Sequence, residues 1–130
     1  MSLRLLIVDD SPVMRLAIQR TIQISGLPVE SCMTAEHGNA ALSAVRDNQI
    51  DFMLIDLNMP EMSGGELIRR IKQRPERPQI PFIVISADAT ATRMQEMFDL
   101  GALAYIPKPF SPGTLRYEMI KALERVNARN

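Results

Sequence analysis

Short apolar runs alternate with longer stretches of helical period along the chain, and few folds accept that alternation. Leu3–Val8 is a nearly continuous apolar run broken only by Arg4, as a strand buried on both faces would be. Further short runs recur at 29–33, 52–55, 81–85 and 103–106, the first of them weaker and suited to a sheet edge. Between the runs, apolar residues return every three or four positions, the spacing of a helix with one buried face. Strands and helices in strict alternation specify βα units and a parallel sheet.

Punctuation residues support the same division. Ser11-Pro12 suits an N-cap followed by the first helical position. Met14, Ala17, Ile18 and Ile22 would share the buried face of that helix, which Gly26 stops and Pro28 keeps from resuming. An alanine-rich second helix is predicted from 36 to about 46, and Asp47-Asn48-Gln49 turns the chain into the third strand. Ser63 and Glu66 have the spacing of a capping box for a third helix, with Leu67, Ile68 and Ile71 on its apolar side. Pro75, Pro78 and Pro81 mark an extended connection inside the domain. A fourth helix is expected over 91–100, stopped at Gly101. Ser111-Pro112 repeats the helix-start pattern. The last helix would bury Leu115, Met119, Leu123 and Val126 and carry Arg125 and Arg129 where they suit its dipole. The expected fold is a single doubly wound (βα)5 domain of the α/β class spanning 1–130, flavodoxin-like. Right-handed crossovers give its five parallel strands the order 2-1-3-4-5.

Composition narrows the function. The 130 residues fit one domain with one sizeable core. Lys plus Arg and Asp plus Glu each number 15, so bulk charge does not indicate a nucleic-acid binder. Cys32 is the single cysteine, which excludes an internal disulfide, suits a reducing compartment and reads as a buried, inert thiol. No apolar stretch approaches the ~20 residues of a membrane span, and no signal-peptide pattern precedes the first strand. A cytoplasmic location is expected.

The chemistry lies where the apolar runs end. Asp9 and Asp10 follow the first, Asp56 the third, Ser86 the fourth and Lys108 the fifth. In a parallel sheet these positions gather at the carboxyl edge, with Asp9, Asp10 and Asp56 at the switch point between the first and third strands. Singly, each has a plain explanation: Asp9-Asp10 as a solvated turn, Ser86 as a strand-end serine, Lys108 as a surface lysine. Together they form three carboxylates, a hydroxyl and an ammonium, which suits one divalent metal and one phosphoryl group. Two carboxylates ~4 Å apart repel by about 4 kcal/mol at an effective dielectric of 20, and a hard cation such as Mg²⁺ relieves that cost. His37, a lone histidine near a helix start, is expected to be solvated and is not a phosphodonor.

These motifs, read as VDDS, LIDLNMPEMSG, VISA and YIPKPF in that order, resemble the response-regulator receiver domain of two-component signalling. The layout is similar to the single-domain chemotaxis type, with Asn58 two residues after Asp56 and Tyr105 three before Lys108. The resemblance implies that Asp56 accepts a phosphoryl group, and that Asp9, Asp10, Asp56 and the main-chain carbonyl of Asn58 hold Mg²⁺, with Mn²⁺ as a substitute. It implies that Lys108 and Ser86 contact the phosphoryl oxygens, with the small Ala87 leaving the pocket open, and that the Lys108-Pro109 bond is cis. Ser86 and Tyr105 are the expected switch pair, reshaping the face of the fourth helix, fifth strand and fifth helix. Arg93, Met97, Arg116 and Tyr117 are candidate surface residues of that face. Asn58 and Asp88 are expected to tune autodephosphorylation. The implied partners are a sensor histidine kinase or histidine phosphotransfer protein and an unspecified protein target, with no direct nucleic-acid or membrane contact. A monomer or a weak phosphorylation-dependent dimer is expected.

Two other classes compete. A Mg²⁺-dependent aspartyl-phosphate hydrolase of the haloacid-dehalogenase type wants a second acid two residues after the nucleophile, where this chain has Asn58. Nucleotide-binding signatures of the G-x-G-x-x-G or G-x-x-x-x-G-K-[ST] kind are absent. The chain also reads as a receiver cut from a longer DNA-binding regulator, although it carries no helix-turn-helix pattern. A stand-alone or truncated receiver is the expectation.

Overall fold

The computed structural model describes residues 2–74 and 79–129, and ten elements alternate along them. They are β1 (Leu3–Val8), α1 (Pro12–Ile24), β2 (Val29–Ala35), α2 (Gly38–Asp47), β3 (Phe52–Asp56), α3 (Gly64–Lys72), β4 (Phe82–Ser86), α4 (Ala91–Asp99), β5 (Tyr105–Pro107) and α5 (Pro112–Arg129). The strands form one five-stranded sheet in the order β2-β1-β3-β4-β5, every neighbouring pair parallel. This is the expected doubly wound architecture.

The pleat sends alternate residues of each strand to opposite faces. Leu6, Val8, Met53, Ile55 and Val84 pack on one side with Ala41, Val45, Leu67, Ile68 and Met97 of α2, α3 and α4. Leu5, Ile7, Phe52, Leu54, Ile83 and Ile85 pack on the other with Ile18, Ile22, Leu115, Met119 and Ala122 of α1 and α5. The central strands are buried on both faces, which is why they read as continuous apolar runs.

Most boundaries fall where the punctuation put them. Ser11 caps α1, its Oγ accepting from the Met14 N–H, and Gly26 ends that helix region at φ 81°. The buried face of α1 differs from expectation: Ala17 is exposed, and Thr21 is buried in its stead. The Thr21 hydroxyl donates to the Ala17 carbonyl at 3.0 Å, so its burial leaves no polar group unpaired. β2 runs two residues beyond the apolar pattern because Thr34 and Ala35 keep pairing with Ile7 and Val8. α2 starts at Gly38, two residues late, because His37 takes the N-cap: its Nδ1 accepts from the Ala40 N–H at 3.1 Å. His37 is therefore a helix cap and not a merely solvated side chain.

Ser63 accepts from the Glu66 N–H at 3.1 Å, but the Glu66 carboxylate pairs forward with Arg70 at 3.0 Å, so only one arm of the expected capping box forms. β5 is assigned from Tyr105, two residues later than predicted, yet Leu103 and Ala104 already bond to Phe82 and Val84 of β4. In α5, Leu115 and Met119 are buried, whereas Leu123 and Val126 are only partly so. Arg125 donates to the Leu103 carbonyl at 2.9 Å. Pro75 and Pro78 of the expected extended connection, and the side chain of Arg129, lie outside the described residues. Cys32 is half-buried, not buried as expected, and that burial pushes its thiol up, away from the reactive thiolate.

Candidate functional site

Strand register sets the site. Val8 lies opposite Ile55, Asp56 opposite Ile85, and Ser86 opposite Pro107. The residues that follow or close these strands, Asp9, Asp56, Ser86 and Lys108, therefore step across one carboxyl edge of the sheet. Asp9, Asp56 and Ser86 are 1%, 4% and 0% exposed, so three polar side chains are held out of water, while Asp10 is exposed at the mouth.

Each group is held by named partners. Asp9 Oδ1 accepts from the Ser11 N–H at 2.9 Å, and Oδ2 accepts from Lys108 Nζ at 2.9 Å. The Asp9 carbonyl accepts from Arg15 Nη1 at 2.7 Å. Lys108 Nζ also stands 3.4 Å from Asp56 Oδ1. The Asn58 N–H points to that same Oδ1 at 3.4 Å, a long contact. The Lys108 N–H donates to the Ser86 carbonyl at 2.8 Å, tying β5 to β4 at the point where the cation turns inward. The Lys108-Pro109 bond is cis, as expected.

The electrostatics are unbalanced. Asp56 has a carboxyl raised above its ordinary value, first by burial and then by the charge of Asp9; Lys108 and the Asn58 N–H pull the other way without cancelling this. One carboxylate oxygen each from Asp9, Asp10 and Asp56 lie within 4.8 Å of one another. Three hard carboxylates facing a single ammonium fit a divalent cation: the donors are of the right type, and the excess negative charge is what such an ion neutralises.

The hydroxyl side is a second connected group. Ser86 Oγ accepts from the Asp88 N–H at 3.1 Å. The Asp88 carbonyl accepts from the Tyr105 hydroxyl, whose ring is buried in the core. The Asp88 carboxylate accepts from the Thr90 N–H at 3.0 Å and pairs with Arg93 at 3.6 Å. These contacts hold its carboxyl below the usual range, the Thr90 backbone bond most of all. One residue thus links Ser86, Tyr105 and the first turn of α4.

Of the expected surface residues, Arg93 lies beside Asp88 and Glu96, and Tyr117 is exposed with Lys121 Nζ 5.0 Å from its ring centroid. Met97 is corrected: it is fully buried and anchors α4 to the core. Arg116 is exposed on α5, and its Nε donates to the Ser25 carbonyl at the end of α1 at 2.9 Å. Arg15 is the site contact that sequence reading misses. Its signal was available: a cation in the opening turns of a helix opposes the dipole and needs a local acceptor, which the Asp9 carbonyl provides.

Comparison with known proteins agrees with this geometry. The response regulator receiver domain family matches residues 5–120. The chemotaxis protein CheY-3 of Vibrio cholerae serotype O1 is 31% identical over 125 residues, covering 96% of this chain and 95% of that protein. The DNA-binding transcriptional regulator NtrC of Klebsiella pneumoniae is 38% identical over 104 residues, which are 80% of this chain but 21% of that regulator. Among solved structures, Vibrio cholerae chemotaxis protein CheY4 superposes with a TM-score of 0.79 at 28% identity, covering 97% of this chain and 99% of that one. An acidic recess at the switch point of a five-stranded parallel sheet defines the class. The chain belongs to the response regulator receiver domain family of two-component signalling, and its likeness to the chemotaxis type runs along nearly its whole length. Among the described residues, no helix is long and apolar enough to cross a membrane.

Proposed function

We propose that residues 1–130 form one receiver domain acting as a phosphorylation-driven switch, with Asp56 as acceptor. The observation that carries this is the convergence on Asp56: Lys108 Nζ at 3.4 Å, and carboxylates of Asp9 and Asp10 within 4.8 Å. An Asp56 oxygen attacks phosphorus, the bond from phosphorus to a donor's imidazole nitrogen breaks, and an acyl phosphate forms on Asp56. Phosphoryl transfer asks the protein mainly for alignment and charge neutralisation. Mg²⁺, or Mn²⁺, held by Asp9, Asp10, Asp56 and the Asn58 main-chain carbonyl supplies part of that neutralisation when bound. Lys108 supplies the rest, and Ser86 donates to a phosphoryl oxygen.

The acyl phosphate carries about −1.5 to −2 charges where the Asp56 carboxylate carried one, in a recess that was already acidic. Ser86 is drawn toward them, and the Asp88 N–H loses its acceptor. The bond from Tyr105 to the Asp88 carbonyl then changes partner geometry, which alters the α4-β5-α5 face. The output is a surface for a protein target, not a released product, so the protein is a switch and not a turnover enzyme. Asn58 and Asp88 tune autodephosphorylation, and exchanging both changes its rate. The phosphodonor is a sensor histidine kinase or a histidine phosphotransfer protein. The protein works in the cytoplasm without direct nucleic-acid or membrane contact, as a monomer or a weak phosphorylation-dependent dimer.

A receiver within a longer regulator is the second reading, favoured by the match to 21% of the NtrC regulator. The acceptor role is tested with acetyl phosphate. Intact mass after incubation with Mg²⁺ gains one labile phosphoryl group, and Asp56→Asn gains none; a wild-type protein that stays unmodified overturns the proposal.

A further inference from the structure

We propose that Gly64 is a positioning residue for Asp56, an inference that rests on Asp56 being the phosphoacceptor. Gly64 is the first residue of α3, directly after its cap Ser63. A β-carbon at Gly64 would lie 2.6 Å from the Asp56 carbonyl oxygen, and 2.9 Å from both Leu57 Cα and Leu57 Cδ2. Two of these three neighbours are backbone atoms, which cannot swing aside as a side-chain end can. The Gly64 N–H also donates to the Leu57 carbonyl at 3.1 Å. The first turn of α3 is thus pressed against the strand end that presents the acceptor carboxylate, and only a residue without a side chain allows that approach.

The adjacent glycine provides the contrast. A β-carbon at Gly65 would meet the Arg69 guanidinium at 3.4 Å and Met97 Cε at 3.5 Å, both the far ends of flexible side chains. Both glycines belong to α3 and are buried. Replacing either by alanine favours the helix in the same sense, but only Gly64→Ala pushes on Asp56. The carboxylate has fixed partners, so displacement of its backbone by a fraction of an ångström moves it relative to Lys108, Asp9 and Asp10. Alignment errors on the scale of 1 Å cost about a hundredfold in rate.

The experiment compares wild type, Gly64→Ala and Gly65→Ala, full length and shown to be folded by circular dichroism. Phosphorylation by acetyl phosphate is followed across donor concentration, and amide shifts of Asp56 and Leu57 are measured without donor or metal. Gly64→Ala is expected to lower the maximal rate at least about tenfold, with half-saturation unchanged, and to shift both amides; Gly65→Ala stays within about twofold. Where Gly64→Ala does not fold in buffer, all three proteins are compared in trimethylamine N-oxide, which strengthens burial without occupying the site. A folded Gly64→Ala protein with wild-type rate and amides overturns the proposal, as does a variant that folds in neither condition, since the glycine then serves the fold alone. If wild type itself takes no phosphoryl group, the acceptor role of Asp56 has failed, and the amide shifts still decide whether Gly64 holds the strand end.

Discussion

Lys108 bridges the two buried acids of the site, its ammonium 2.9 Å from Asp9 and 3.4 Å from Asp56. Those acids come from the ends of β1 and β3, and the lysine from the end of β5, so one cation ties together strands that span most of the sheet. Replacing it leaves two buried carboxylates facing each other. Lys108→Met is predicted to lose about 2–3 kcal/mol at neutral pH in EDTA, less than the roughly 3–5 kcal/mol of breaking a fully buried pair, because Lys108 is itself partly exposed. Saturating Mg²⁺ restores most of this, because a dication replaces the missing charge. Urea unfolding with and without Mg²⁺ checks both halves; an unchanged midpoint in EDTA contradicts the bridge.

Asp56 contributes in the opposite sense. Its carboxyl is raised from the ordinary value of 3.8 by burial and by Asp9. Between that value and its higher folded one, the folded protein keeps a proton that the unfolded chain has lost. Its contribution is fully present below the unfolded value and is lost as pH rises through the folded one. Asp56→Asn removes that loss. The variant is predicted to be more stable than wild type at neutral pH in EDTA by on the order of 1–2 kcal/mol, the scale of a relieved like-charge contact partly offset by Lys108. The gain shrinks on acidification toward pH ~4. Paired denaturation curves across pH test this, and a gain that is largest in acid would refute it.

Tyr105 is expected to couple the site to its surface without taking part in phosphoryl transfer. Tyr105→Phe removes the bond to the Asp88 carbonyl and is predicted to cost about 1 kcal/mol. Labelling by acetyl phosphate stays at the wild-type rate, while the phosphorylation-induced amide shifts in α4 shrink. A slowed labelling rate with α4 shifts intact would reverse this assignment.

His37 gives a prediction outside the site. Its Nδ1 caps α2, so His37→Ala should lower stability by about 1 kcal/mol, while His37→Ser, a stronger cap, should match or exceed wild type. Thermal melts of the two variants decide it. Equal losses in both would mean that the imidazole matters by packing.

The sheet was legible because β1, β3 and β4 are buried on both faces and so read as nearly unbroken apolar runs, whereas the half-exposed edge strand β2 reads more weakly. The site was legible for the same reason: Asp9, Asp56, Ser86 and Lys108 are polar residues that interrupt or close apolar strands, and parallel order brings all such ends to one edge. What escaped depends on contacts that spacing does not encode. Arg15 reaches a main-chain carbonyl, and the only hint of it was a cation placed near the start of α1, against the helix dipole. Met97 was expected at the surface, but it is the fully buried side chain of α4, with Met94 packing partly buried against the same core. His37 was misread because histidine is an uncommon cap, and Thr21 because its hydroxyl finds a carbonyl within its own helix.

The most direct measurement locates the phosphoryl group. Protein labelled with acetyl phosphate and Mg²⁺ is reduced with borohydride, which converts an acyl phosphate to an alcohol at the carbon that carried it, and the peptides are sequenced by mass spectrometry. Homoserine is predicted in place of Asp56 and at no other position, with none formed when Mg²⁺ is withheld. Reduction at Asp9 or Asp10, or a phosphoryl group that survives borohydride on a serine, threonine or histidine, would contradict it.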